Sequence, residues 1–167
     1  MGRNAAPQLD SIPQEHFTAG DGLRIVVYPD SASFLNNIYP IDSDGNIFLP
    51  VAGKVKVTSM TVEQLIMFLQ KNFQQYLRYP EIQVRPLIRV SMLGGFFRPG
   101  LYYVEPDRSI WDLVYLAGGT QNEDGLKELR WERDRRVVAG NLIPYIESGD
   151  AISAIGFRSG DQIWTPP

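Results

Sequence analysis

FTAGDGLRI, residues 17–25, has a counterpart near the end of the chain, FRSGDQIW, residues 157–164. Each stretch places a Gly-Asp pair three residues after a phenylalanine and just before an apolar, strand-like run. Glycine reaches positive φ angles without steric cost, and an aspartate side chain accepts hydrogen bonds from nearby backbone N–H groups. The pattern therefore predicts a tight turn that starts a strand at Gly20-Asp21 and another at Gly160-Asp161. Its repetition predicts two similarly built, β-rich modules.

The composition is that of an ordinary globular protein: 167 residues, 44% hydrophobic and 21% charged. This length suits one domain with a good core or two small ones. A formal net charge of -3 argues against nucleic-acid binding, because no basic excess is present to displace counterions from phosphates. Cysteine is absent, which excludes disulfides and thiolate chemistry. No apolar run approaches the ~20 residues of a membrane-spanning helix, so no transmembrane segment is predicted.

The first half reads as strands around one helix, after a flexible lead-in over residues 1–16. Residues 23–28 are rich in β-branched and aromatic side chains and predict a strand. Asp44-Gly45 predicts a tight hairpin turn between strands at 38–41 and 47–49. Thr61 and Gln64 form a capping-box pattern, which predicts a helix running to Tyr79-Pro80. Another strand follows over 82–86, and we place a domain boundary at Pro86.

The second half repeats this order. Turn signals at Gly94-Gly95 and Pro99-Gly100 separate strands predicted at 88–92 and 101–104. Ser109 caps a second short helix that Gly118-Gly119 closes. Short strands at 136–139 and 161–164 complete the chain. The sequence therefore predicts an α+β fold with two small modules, 17–86 and 87–167, each with one packed helix, the second of β-grasp type.

Catalytic, cofactor-binding and metal-binding residues are not predicted. The single histidine, His16, lies in the lead-in, which argues against a Ser-His-Asp triad or a multi-histidine metal site. The glycine pairs do not form a phosphate-binding motif. Asp42, Asp44 and Asn46 resemble the start of a calcium loop, but Gly53 stands where a bidentate Glu is needed, so a plain turn is favoured.

The aromatic residues are the stronger functional signal, because rings with a polar tip suit interfaces and sugar rings. We consider six of them candidates for glycan or subunit contacts: Tyr76, Tyr79, Phe96, Phe97, Tyr102 and Tyr103. Residues 130–136 alternate in charge and indicate a solvated strand edge or loop, or else an interface with an acidic neighbour. Arg133 and Arg135 are the candidate contacts in that stretch.

The first half resembles the export domain of the bacterial outer-membrane polysaccharide export (OPX) proteins. The matching residues fall in four groups: Phe17, Gly20, Asp21, Leu23, Ile25 and Val27; Ile41, Asp42, Asp44, Gly45, Asn46, Ile47, Leu49, Pro50, Gly53, Val55 and Val57; Thr61 and Leu65; Tyr79, Pro80, Ile82 and Val84.

The second half is similar to the soluble-ligand-binding β-grasp (SLBB) domain that follows the export domain in this family. The matching residues are Val90, Met92, Gly94, Phe96, Pro99, Gly100 and Tyr102, then Ser109, Ile110, Asp112, Val114, Ala117, Gly118 and Gly119, and finally Gly160, Asp161, Ile163, Thr165 and Pro166. Together the two resemblances cover residues 17–167.

The resemblance implies a non-enzymatic subunit of a capsular or exopolysaccharide export channel. Such subunits assemble into a homo-oligomeric ring in the periplasm, associated with the outer membrane, and work with an inner-membrane polysaccharide co-polymerase. The chain has no lipid-bearing cysteine, one evident β-grasp repeat and no amphipathic helix after Pro167. With Met1-Gly2 at its start, we expect an excised part whose signal and anchor were removed.

Two other interpretations stay open. One is a monomeric periplasmic glycan-binding β-grasp module that presents Phe96, Phe97, Tyr102 and Tyr103 to sugar. The other is a carboxylate glycosidase that uses residues such as Asp42, Asp44 or Asp107.

Overall fold

The structure, a computed structural model, describes residues 15–78 and 80–167. The elements follow the order β1 (Gly22–Tyr28), β2 (Asn37–Pro40), β3 (Asn46–Leu49), β4 (Gly53–Lys56), α1 (Val62–Asn72), β5 (Glu81–Gly94), β6 (Gly100–Val104), α2 (Ile110–Leu116), a 3-10 turn (Gly125–Glu128), β7 (Arg130–Arg133), β8 (Arg136–Ala139), α3 (Ile143–Ser148) and β9 (Gln162–Thr165). This architecture confirms the predicted α+β class.

Strand β5 connects the two halves of the chain. Its residues 81–87 pair antiparallel with β1, and its residues 88–94 pair with β6 and β9. The sheet order is β2-β1-β5-β9-β7-β8, with β6 also on β5, while β3 and β4 form a separate two-stranded sheet. The β5–β9 pairing is parallel, and the other strand pairings are antiparallel. One sheet therefore runs through both halves.

Pro86 lies inside β5 and does not interrupt it. The Asp21 carbonyl accepts a hydrogen bond from Ile41 N–H, so odd-numbered residues of β1 direct their backbone groups to β2. Leu23, which lies opposite Pro86, thus makes no backbone hydrogen bond to β5. The missing N–H of Pro86 therefore removes no hydrogen bond from the pairing of β1 with β5. This explains why the strand continues through a residue that usually ends one.

The buried side chains form two hydrophobic clusters. The first includes residues from Phe17 to Val84, and α1 contributes Leu65 and Leu69 to it. The second includes residues from Val90 to Ile163, and α2 contributes Ile110, Leu113 and Val114. The predicted domain boundary at residue 86 falls between the clusters but inside a continuous strand, and it stays a prediction.

Both predicted helix starts are confirmed. Thr61 Oγ1 accepts from Gln64 N while Gln64 Oε1 accepts from Thr61 N, and Ser109 and Asp112 repeat this capping box at α2. Helix α1 ends at Asn72, before the predicted Tyr79-Pro80, because residues 74–76 form a turn. Tyr79 itself lies outside the described residues, as does most of the predicted lead-in. Glu15 and His16, placed in that lead-in, pair with the start of α1.

The hairpin predicted around Asp44-Gly45 is wrong. Strand β2 pairs with β1, and β3 pairs with β4, so the turn at residues 42–46 passes between two sheets. Asp42 Oδ1 accepts from the N–H groups of Asp44 and Asn46 and stabilises this turn locally. The local turn chemistry was recognised, but the strand partners depend on contacts distant in sequence.

Three elements of the second half were not predicted as such: β7, α3 and the 3-10 turn. Strands β7 and β8 form a two-residue hairpin in which Asp134 and Arg135 have φ of 49° and 65°. Two positive φ angles match the right-handed strand twist, but Gly or Asn usually occupies such positions, so the sequence gives a weak turn signal. The second half therefore carries two α-helices where one was expected.

Gly45 and Gly53 allow a matched test of the turn between the sheets. Both have positive φ, 85° and 71°, but a Cβ at Gly45 would overlap Thr58, while a Cβ at Gly53 meets open space. We expect Gly53→Ala to lower the free energy of unfolding by about 1 kcal/mol. Gly45→Ala should cost clearly more, because strain and overlap add. Urea unfolding monitored by tryptophan fluorescence measures both, and equal losses would contradict the described contact with Thr58.

Candidate functional site

A groove of about 520 Å³ lies between β6 and α2, bordered by β1 and β2. We refer to it as the β6–α2 groove. Its lining residues are Arg24, Ile38, Leu101, Tyr102, Tyr103, Val104, Glu105, Arg108, Asp112, Tyr115 and Leu116. Both halves of the chain contribute to it, since Arg24 and Ile38 precede the predicted boundary. Of the predicted contact residues, the structure brings Tyr102 and Tyr103 together here.

Three tyrosines line the groove. Tyr115 on α2 is 74% exposed, and Tyr102 and Tyr103 on β6 are half-buried. The Tyr103 ring lies against Gly22 so closely that a Cβ at Gly22 would stand 2.8 Å from a ring carbon. Gly22 therefore makes room for the ring, and the position of Tyr103 depends on where β1 starts.

A charged cluster forms one end of the groove. The Glu105 carboxylate is 12% exposed and lies among three guanidinium groups, 3.7 Å from Arg24, 3.3 Å from Arg85 and 3.9 Å from Arg108. Three positive charges surround one negative charge in this cluster, but Arg85 does not line the groove, so the charged lining residues Arg24, Arg108, Glu105 and Asp112 are formally neutral together. Asp112 also lines the groove, where its Oδ2 accepts from Ser109 N–H in the α2 cap.

The other predicted contact residues are scattered. Phe97 is exposed, and Tyr76 forms an exposed aromatic pair with Phe34. Phe96 requires a correction: it is 1% exposed and packs in the second hydrophobic cluster, so its ring is not presented to a ligand. The ring of Phe96 packs in the core between the Gly94-Gly95 turn and α2, and the hydrophobic effect favours its burial there.

Arg133 also requires a correction, because it does not lie on a free strand edge. Its guanidinium donates two hydrogen bonds to Asp161, from Nε at 2.8 Å and Nη2 at 2.7 Å, and another to the Gly156 carbonyl. Arg135 lies in the exposed β7–β8 turn. Alternating charge alone could not distinguish the two, since the partner of Arg133 lies 28 residues further along the chain.

Asp161 is the most heavily bonded carboxylate of the predicted turn motifs. It is 1% exposed and also accepts hydrogen bonds from Trp131 Nε1 and from Arg158 N–H, both at 2.9 Å. Burial alone would raise the pKa of Asp161, but the bonds from Arg133, Arg158 and Trp131 outweigh it and hold the pKa below its usual range. Asp161 thus joins β7 to the turn before β9.

Asp21, the equivalent residue of the first motif, has different surroundings. Burial raises its pKa above the usual value, although the hydrogen bond from Ser159 and the charge of Arg89 act in the opposite direction. Gly20 and Gly160, with φ of 88° and 91°, both lie against the Arg89 guanidinium, whose Nη1 donates to the Gly20 carbonyl. The two repeated turns therefore meet at one arginine of β5.

The remaining turn residues lie at reversals of the chain. Positive φ is found at Gly45 and Gly100, which follow the predicted turn residues Asp44 and Pro99. Gly118 and Gly119 also have positive φ. Gly118 and Gly119 follow α2 and donate to the Tyr115 and Val114 carbonyls. No group of three or more acidic or histidine side chains suited to a metal occurs among residues 15–78 and 80–167.

Sequence reasoning missed most of the groove. Arg24 and Ile38 lie far along the chain from the segment 101–116 that supplies the rest of the lining, and no spacing rule connects them to it. A helix long and apolar enough to span a bilayer is not found in the described part of the chain.

Comparison with known proteins supports the resemblance drawn from the sequence. Residues 11–86 match the family described as polysaccharide biosynthesis/export protein. Over 165 residues, 93% of this chain, two Escherichia coli proteins named polysialic acid transport protein KpsD are each 27% identical to it. The chain spans 28% of the length of these relatives. The predicted resemblance to the polysaccharide export family is thereby confirmed for residues 11–86.

The two aspartates of the repeated motif should respond differently to amidation. Asp161→Asn leaves Arg133 without its ion pair, so we expect a loss of about 3 kcal/mol in the free energy of unfolding at neutral pH. Asp21→Asn removes a charge that burial disfavours, so we expect no loss, or a small gain. Urea unfolding at neutral pH measures both.

The pH dependence provides the control. The depressed pKa of Asp161 stabilises the fold at pH values above 3.8, the usual pKa of an aspartate. That contribution is lost as the pH falls through the folded-state pKa of Asp161. For Asp21 the sign is opposite: its raised pKa makes the fold lose stability as the pH rises from 3.8 through the folded-state value. Equal losses for both variants at neutral pH would contradict these assignments.

Proposed function

We propose that this chain, whose residues 11–86 match the polysaccharide biosynthesis/export family, is part of a subunit of a capsular or exopolysaccharide export channel. The observation that carries the proposal is the family match, which extends over the first hydrophobic cluster and α1. The relatives named for polysialic acid transport support a polysaccharide as the transported substrate. We propose that residues 87–167 act as an SLBB module in the same subunit.

The proposed location is the periplasm, in association with the outer membrane, with an inner-membrane polysaccharide co-polymerase as partner. We propose a non-catalytic role, which rests on the description of the family as an export family. In this account the subunits form a ring-like passage. A closed ring needs two different, complementary surfaces on each subunit, because its contacts are head-to-tail.

An exposed aromatic pair supplies one candidate surface for subunit contact. Phe34 and Tyr76 are 44% and 47% exposed, and their rings meet edge-to-face with centroids 5.9 Å apart. Both pack on buried Phe73, at 6.0 and 6.3 Å, so the pair is held in place. Aromatic side chains of this kind are enriched in the buried centres of protein interfaces. We propose that a neighbouring subunit covers them.

A second candidate function is a monomeric glycan-binding module. The tyrosine-lined β6–α2 groove favours it, since a groove in one chain needs no partner to bind a sugar. The two proposals predict different behaviour in solution. A channel subunit must assemble into an oligomer, whereas a glycan-binding module binds sugar saturably as a monomer.

Sedimentation of the full-length protein tests the assembly. We expect a closed oligomer, and we expect Phe34→Ser/Tyr76→Ser to weaken association at least tenfold, or about 1.4 kcal/mol, because two aromatic contacts are lost. Gln74→Ser/Gln75→Ser is the matched control, since both glutamines are exposed beside the pair. A wild-type protein that stays monomeric at all concentrations and binds oligosaccharide saturably would favour the module.

A further inference from the structure

We propose that the β6–α2 groove binds an acidic sugar residue, one that carries a carboxylate, within the exported polysaccharide. This inference rests on the proposed function, which supplies the polysaccharide. It adds the chemical class of the substrate and the place where the chain recognises it.

The size and shape of the groove suit part of a glycan chain. A volume of about 520 Å³ lies within the ~300–1,000 Å³ range of small-molecule sites. The groove is partly open to solvent, so a sugar residue can enter while the rest of the polymer stays outside. An open site of this kind contacts one or two residues of a long chain.

The tyrosines give the groove its affinity for sugar rings. Tyr115 and Leu116 of α2 line the groove together with Leu101 and Tyr103 of β6. Apolar faces of a sugar pack on aromatic rings, while phenolic hydroxyls bond to sugar hydroxyls. Within the described residues, the hydroxyls of Tyr103 and Tyr115 make no hydrogen bond to protein, so both are available to a ligand.

The arginines indicate a negatively charged ligand. Glu105 lies 3.7 Å from Arg24 and 3.9 Å from Arg108, distances beyond a good hydrogen bond. Neither guanidinium makes a side-chain hydrogen bond to another described residue, and Nε of Arg24 is buried without a partner. Their donors can therefore hold a carboxylate, for which the guanidinium fork is well matched.

The pairing of the local charges supports the same conclusion. The groove is lined by two positive residues, Arg24 and Arg108, and two negative ones, Glu105 and Asp112, but both carboxylates already have partners: Glu105 accepts from Arg85, which lies outside the groove lining, and Asp112 accepts from Ser109 N–H in the α2 cap. The whole chain carries a net charge of -3, so it has no general attraction for a polyanion. The guanidinium groups of Arg24 and Arg108 are thus the charged groups of the groove left to bind a carboxylate, beside the sugar-binding rings.

Binding at one groove should be weak, because a transported polymer must also leave each site. An exposed ion pair contributes little in water, and the three arginines are about half exposed. A ring of identical subunits would present several such sites to one polymer. Weak contacts repeated along a chain hold it without trapping it.

Equilibrium dialysis on the full-length protein tests the inference. The probes are oligomers of about six residues of sialic acid and of galacturonic acid, each beside its carboxyl-reduced form of equal length. We expect at least one acidic oligomer to bind the wild type at least tenfold more tightly than its reduced form. Arg24→Gln/Arg108→Gln should weaken that binding at least tenfold.

The control variant is Arg135→Gln/Arg136→Gln, which removes the same total charge at the exposed β7–β8 hairpin, outside the groove. It should bind like the wild type. Tyr115→Ala should weaken both the acidic and the reduced oligomer several-fold. A polyglutamate peptide of equal charge should compete poorly, because it lacks sugar rings.

Several results would overturn the inference. They are binding of neither acidic oligomer, equal binding of the reduced form, unchanged binding by the groove variant, and a peptide that competes as well as the glycan. Sedimentation of the same samples separates this failure from failure of the proposed function. If the protein assembles but the groove variant binds like the wild type, only the groove assignment fails.

Discussion

The pairing of β5 with strands from both halves is the constraint on which the rest of the structure depends. Its first seven residues complete the sheet of the first hydrophobic cluster, and its last seven begin the sheet of the second. Arg89 lies near the middle of this strand, where the Gly20 and Gly160 turns close against it. The repeated Gly-Asp motif therefore brings two distant strands, β1 and β9, to a single shared strand.

The groove is a consequence of this arrangement. Because β1 begins beside Tyr103 and carries Arg24, the first half supplies both the space for an aromatic ring and a positive charge. The second half supplies β6, α2 and Glu105. A change in the angle between the halves would separate these groups, so the continuous strand through Pro86 keeps the groove intact. This couples residues 11–86, which match the family, to the residues proposed to contact a polysaccharide.

Local features of the fold could be predicted from the sequence, whereas pairings could not. The capping boxes at Thr61 and Ser109 need only residues within one turn, and both were found. The turn at Asp44-Gly45 was recognised, but turn chemistry does not determine which strand pairs with β3. In the structure its partner is β4. Asp161 and Arg133 form the strongest ion pair of the motif from 28 residues apart, and the groove combines residues from four elements. Phe96 was predicted as a contact residue, but its side chain is buried in the structure.

The most direct test of the export function is deletion of the gene in the organism that encodes this chain. Surface polysaccharide and polymer retained within the cell envelope would be measured in the deletion strain and in a strain with the gene restored. The account predicts that polysaccharide disappears from the surface and accumulates inside the envelope, and that the restored gene reverses both changes. Unchanged surface polysaccharide, with no polymer retained inside, would contradict the assignment of this chain to an export channel.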